Sequence, residues 1–206
     1  MNQRIGLFGG AFDPPHLAHV ALARAAIGQL QLGRLHIVPT GHAWHKPLVL
    51  SPAADRLAMC KLAFAGLPKA LVDDRELRRT GPTCTIDTLA ELRALYPQAA
   101  LFLLIGDDQA AAFHTWQRVQ EILAIATISI AIRQGTISAN SHFDLQNPLP
   151  GLAPGAARVR VLQLPAMPHS ATQARRLAAA GLPIGHLVAA PVAGYIAEHH
   201  LYRKLA

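Results

Sequence analysis

Ile5-Gly6-Leu7-Phe8-Gly9-Gly10-Ala11-Phe12-Asp13-Pro14-Pro15-His16-Leu17-Ala18-His19 is the stretch on which the reading of this chain turns. A short apolar run ends at two glycines, an Asp-Pro-Pro turn follows, and two histidines three apart open an Ala/Leu-rich helical pattern. The run reads as a buried strand, and Gly9-Gly10 lets the backbone approach a ligand without Cβ interference. Pro14-Pro15 keeps the crossing extended, so a helix is expected to start near His16 or Leu17. His16 and His19 then share one face of its first turn, beside unsatisfied N–H groups and the positive end of the helix dipole. Such a corner suits phosphate, and charge developing on phosphate.

Outward from this corner, short apolar runs alternate with longer amphipathic ones. Strands are expected at Arg4–Phe8, Arg34–Pro39, Ala70–Asp73, Ala100–Ile105, Ala126–Ile132 and Arg158–Leu162. Helices are expected at Leu17–Leu30, Pro52–Ala65, Ile86–Tyr96, Trp116–Ala124, Thr172–Ala180 and Pro191–His199, with Ser51 as N-cap and Pro52 as first helical residue of the second. The alternation predicts an α/β fold: a Rossmann-like, doubly wound, mainly parallel sheet with helices on both faces and a small C-terminal helical portion. One domain over 1–206 is expected, its helical part beginning near residue 165. Ligands of such sheets bind beyond the strands' carboxyl ends, where Gly9–His19 falls. Gln134–Ala157, rich in Pro and Gly turn signals, reads as a long surface connection without a functional role.

The composition narrows the partners. Of 206 residues, 51% are hydrophobic and 15% charged, enough for a large core. A net charge of +7 favours anionic partners, nucleotides or nucleic acid. The basic residues are scattered rather than gathered in a run, which argues against nucleic acid. Cys60 and Cys84 form no CxxC pair, so a disulfide framework or thiolate zinc site is not expected and a reducing cytoplasm fits. With no apolar stretch of spanning length, a soluble cytoplasmic protein without a membrane partner is expected. Eleven histidines raise the question of a metal, but the pairs His16/His19 and His42/His45 lack a third and fourth ligand nearby. No protein-held metal site is expected.

A second signal lies at His169-Ser170-Ala171-Thr172-Gln173-Ala174-Arg175-Arg176. Ser170 reads as an N-cap, and Arg175, three residues past Thr172, puts a positive charge on the same side. A Ser-x-Thr helix start by itself is more often only a cap. Ile105-Gly106-Asp107-Asp108 ends a strand, where Gly106 permits close approach and Asp108 can accept from ribose hydroxyls.

The opening turn resembles the nucleotidylyltransferase superfamily, whose signature is GGxFDPxHxGH-like; Ala18 stands where that family usually carries glycine. The Ser170–Arg175 helix start is similar to the family's second nucleotide motif. The intervening segments resemble bacterial nicotinate mononucleotide adenylyltransferases: His45-Lys46-Pro47 after the second strand; Asp74-Arg75-Glu76-Leu77-Arg78; and Thr83-Cys84-Thr85, with Cys84 in a usual tyrosine position. The resemblance implies AMP transfer from ATP to nicotinate mononucleotide with Mg²⁺ and release of pyrophosphate. It implies catalytic roles for His16 and His19, and ATP or phosphate contacts from Gly9, Gly10, Phe12, Gly106, Asp108, Ser170, Thr172 and Arg175. Mononucleotide contacts are implied for His45, Lys46, Thr85, Trp116 and Arg133. Read without the resemblance, Thr85 caps a helix, Trp116 is equally a core residue, and His45 and Lys46 are equally solvated. ATP and nicotinate mononucleotide are the expected partners, with a homodimer left open. Two rivals remain: another nucleotidylyltransferase, such as a phosphopantetheine adenylyltransferase, and a catalytically weak nucleotide- or RNA-binding protein suggested by Ala18 and a pI near 10.1.

Overall fold

Six parallel strands form one sheet in the order β3-β2-β1-β4-β5-β6. The structure is a computed structural model that describes residues 3–41, 50–133, 147–153, 155, 157–165, 167 and 169–203. The strands are β1 (Arg4–Gly10), β2 (Arg34–Pro39), β3 (Ala70–Val72), β4 (Ala100–Gly106), β5 (Ala126–Arg133) and β6 (Val159–Leu164). The helices are α1 (Leu17–Gln29), α2 (Ala53–Phe64), α3 (Arg75–Arg78), α4 (Thr85–Leu95), α5 (Asp107–Ala111), α6 (Val119–Ile125), α7 (Ala171–Ala179) and α8 (Ala190–Glu198). The expected doubly wound α/β fold is therefore present. Its order reverses between β1 and β4, the switch point at which such sheets open a crevice.

The central strands read as unbroken apolar runs because both faces are covered. Successive residues nevertheless part company. Leu7, Leu101, Leu103 and Ile105 join one core cluster with Ile86, Leu89 and Ile122 of α4 and α6. Phe8, Phe102 and Leu104 join the other, with Ala23 of α1, Met59 of α2 and Val192 of α8. The two-residue period of a strand thus sorts one sequence into two cores.

Local details correct several expectations. Pro52, not Ser51, sits at the N-cap of α2, which starts at Ala53. Ser51 instead turns its backbone N–H to the Asp13 carboxylate. Cys84 occupies the N-cap of α4 and Thr85 is its first helical residue, so Thr85 does not cap. Trp116 lies outside a helix: a 3-10 turn at Phe113–Thr115 precedes it. Arg118, in the left-handed region at φ 55°, then starts α6. The connection expected at the surface over 134–157 is partly core, since Leu149 is buried beside Phe113 and Ile122. Among the described residues no helix is long and apolar enough to cross a membrane.

Candidate active site

A cleft of about 890 Å³ opens at the carboxyl ends of the strands. Gly9 and Gly10 of β1, Ile105 of β4, Asp108 of α5, Thr85 and Trp116 are among the residues that line it. A Cβ at Gly106 would meet nothing within 4 Å, and one at Gly9 only the Val38 carbonyl at 4.0 Å. The space those glycines leave is thus not filled by the protein. Trp116 is half-buried, its ring 5.1 Å from Phe113, so one aromatic wall rests on the core while the side chain still borders the cleft.

Beside the cleft, α1 begins as the sequence predicts. His16 is the N-cap, in extended conformation, and its backbone N–H donates to Nδ1 of His19 at 3.1 Å. The two rings stack with centroids 3.6 Å apart and planes 21° from parallel. Phe12 supports them from below: its ring meets His19 edge-on at 5.1 Å and also packs on Phe8 and Phe64. The Phe12 side chain is core, on a left-handed backbone at φ 47°.

The second signal meets the first in space. Ser170 caps α7 by accepting from the Gln173 N–H at 3.1 Å. Arg175 reaches from that helix to donate to the Asp13 carbonyl at 2.6 Å and to the Thr172 hydroxyl at 3.4 Å. Two segments 162 residues apart thereby form one cationic corner around the Asp13 turn. Asp13 itself is 3% exposed.

Three polar residues had no role in the sequence reading, and two of them, Arg56 and Glu76, line the cleft. Arg56 lines the cleft at 3% exposure, donating to the Ala11 carbonyl at 3.0 Å and the Ser51 carbonyl at 3.1 Å. Burial pulls its guanidinium below the ordinary range, against the opposing pull of Asp13. Glu76 accepts from the Thr88 hydroxyl at 2.7 Å, and burial raises its carboxyl despite that bond. Asp73 holds Arg75 at 2.7 Å and accepts from His36 Nδ1 at 2.7 Å. Burial alone would raise Asp73, but the bonds from His36 and Arg75 outweigh it and hold the carboxyl well below the usual range. In sequence these residues lie in an ordinary Ala/Leu-rich helix and a charged run; their burial is a tertiary property.

Cys84 lines the cleft, half-buried, whereas the other cysteine does not line it. Cys60 is in the core, and burial pushes its thiol up to about 12. Among the described residues no group of three metal-ligating side chains comes together. His45 and Lys46 lie outside the described residues, as does the Arg133 side chain.

Residues 7–177 match the cytidylyltransferase-like family. A protein of Albidiferax ferrireducens is 52% identical over 201 residues, covering 98% of each chain; one of Saccharopolyspora erythraea is 40% identical over 98% of this chain and 91% of its own. Both carry the name "Probable nicotinate-nucleotide adenylyltransferase". The chain belongs to this nucleotidyltransferase family. The fold agrees with that of the Plasmodium falciparum nicotinic acid mononucleotide adenylyltransferase complexed with NaAD. That structure matches at a TM-score of 0.77 and 19% identity over 98% of both chains. Within the family frame, the Gly9–His19 turn and the Ser170–Arg175 helix start stand at opposite ends of the matched region and converge on Asp13.

Proposed function

We propose that this protein transfers AMP from ATP to nicotinate mononucleotide, releasing pyrophosphate and giving the deamido form of NAD. The observation that carries the reading is the Arg175–Asp13 bond, which joins the two phosphate-binding signals, two residues along the chain from Ala11 in the lining of a cleft that Trp116 and Thr85 also line. A phosphate oxygen of the mononucleotide attacks the α-phosphorus of ATP in line. The bond from that phosphorus to the bridging oxygen breaks, and pyrophosphate leaves with the electron pair. The attacking oxygen is already anionic, so no side chain need serve as base or covalent nucleophile. Catalysis is positioning and electrostatic stabilisation.

His16 and His19 stabilise charge on the transferring phosphoryl group. Because Nδ1 of His19 accepts a backbone N–H, its proton sits on Nε2, the tautomer that donates from that atom. Ser170, Thr172 and Arg175 hold the ATP phosphates, the Gly9 and Gly106 backbones admit them closely, and Gly10 gives room to the Phe12 ring behind the phosphate turn. Asp108 takes a ribose hydroxyl, while Thr85 and Trp116 place the pyridine. His45, Lys46 and Arg133 are read as further contacts to the mononucleotide. Mg²⁺ is read as carried mainly by the substrate phosphates with water, as is usual for this ion. When bound it supplies positive charge to the leaving pyrophosphate. The chain is read as one domain, and its two free cysteines suit a reducing cytoplasm.

Isotopic labelling tests the bond that breaks. With ATP labelled at the α-phosphate the label should enter the dinucleotide; with γ-label it should enter pyrophosphate. Label from the α position in free pyrophosphate or in orthophosphate would contradict the reaction.

A further inference from the structure

The chain's last described turn reaches back to its first. After α8, His200 and Tyr202 take left-handed backbones, at φ 51° and 68°. Such conformations are uncommon for residues with a Cβ and persist only where surrounding contacts fix them. Here the contact is specific: the Tyr202 hydroxyl donates to Asp13 Oδ1 at 2.6 Å. The other carboxylate oxygen, Oδ2, accepts the Ser51 N–H at 3.0 Å, and the Asp13 carbonyl accepts Arg175 at 2.6 Å. Every one of these bonds acts on a single residue in the turn that carries His16.

We infer that Tyr202 is a positioning residue for the phosphate corner: its hydroxyl fixes the Asp13 carboxylate, and the Asp13 main chain then seats Arg175 and orients the turn into His16. The inference rests on the proposed reaction only in taking this corner as the ATP phosphate site. A carboxylate with one oxygen anchored can still rotate about its Cβ–Cγ bond. With both oxygens anchored, from the C-terminal segment and from the start of α2, the turn is held from two sides. Burial and the Asp13 carboxylate raise the Tyr202 hydroxyl, so it stays a donor throughout the working range. Packing alone would be served by the ring, which a phenylalanine also supplies; the hydroxyl is what the geometry uses.

The test is Tyr202→Phe in the full chain, with melting temperature, kcat and both KM values measured under saturating co-substrate. We expect about a tenfold fall in kcat/KM for ATP, the scale of one lost hydrogen bond to a charged group. KM for nicotinate mononucleotide should stay near that of the unaltered protein. Asp13→Asn, which replaces the carboxylate that accepts from Tyr202 by a weaker acceptor, should shift the ATP value in the same direction, and it serves if Tyr202→Phe does not fold. Unchanged ATP parameters in both variants, or equal changes for the two substrates, would overturn the inference. If the unaltered protein turns over no mononucleotide, the proposed reaction fails separately. ATP affinity by calorimetry then reads the positioning role: weaker binding in the variants supports it, and equal binding or none in the unaltered protein overturns it.

Discussion

The backbone N–H of His16 donates to Nδ1 of His19 across 3.1 Å, and that bond fixes both the tautomer of His19 and the stacking of the two rings. It arises because His16 is the N-cap of α1 and His19 is its third helical residue, the spacing at which a side chain reaches back to cap. The local helix start and the proposed phosphate chemistry therefore depend on the same atoms.

His19→Ala removes the Nε2 donor, together with the Nδ1 acceptor of the His16 N–H, while leaving the core pair Phe8 and Phe12 in place. Turnover should fall by at least about a hundredfold, as loss of one preorganised electrostatic donor does, with the melting temperature little changed. Steady-state kinetics beside a thermal melt separates the two; near-normal turnover would remove His19 from the mechanism.

Trp116 borders the cleft while resting on Phe113. Trp116→Ala should raise KM for the pyridine mononucleotide more than KM for ATP. Equal changes in both would mark a purely structural tryptophan.

Gly41 sits where β2 leaves the sheet, and a Cβ there would fall 2.2 Å from the Glu76 carbonyl. Backbone cannot yield as a side-chain tip can, so Gly41→Ala should displace the α3 segment. A lower melting temperature and weaker mononucleotide binding are expected, read by calorimetry; an unaltered melt would show that the segment adapts freely.

Asp73 gives a pH-dependent contribution whose sign is fixed. Its folded carboxyl is held below the ordinary value, so the unfolded chain takes up a proton first as pH falls. The stabilisation is complete above the unfolded value of about 4 and is lost progressively at lower pH. Asp73→Asn should lower the melting temperature at pH 7, with the gap closing as pH falls below about 4. A gap independent of pH would assign the effect to lost shape, not charge.

Much of this was legible in the chain. The central strands stood out because burial on both faces leaves a largely apolar run, whereas the edge strands β3 and β6 are partly exposed and stood out by their place in the alternation; the Gly9–His19 turn announced its corner through residue types with few other uses. The short helices α3 and α5 were missed, being too brief to show a helical period. Trp116 was assigned to a helix because its neighbours are helical in pattern; the left-handed Arg118 that delays α6 leaves no mark in composition. Asp13 was read only as a turn residue. Its partners Arg175 and Tyr202 lie 162 and 189 residues away, and no local pattern carries a contact of that range. Arg56 and Glu76 were likewise hidden, since a buried charge looks in sequence like an exposed one.

The central claim is AMP transfer to a pyridine mononucleotide. The most direct test is pyrophosphate release with ATP and Mg²⁺, offering nicotinate mononucleotide, nicotinamide mononucleotide and phosphopantetheine in parallel. The account predicts rapid release with nicotinate mononucleotide and clear preference for it over the other two. Silence with both pyridine nucleotides, or preference for phosphopantetheine, would contradict it.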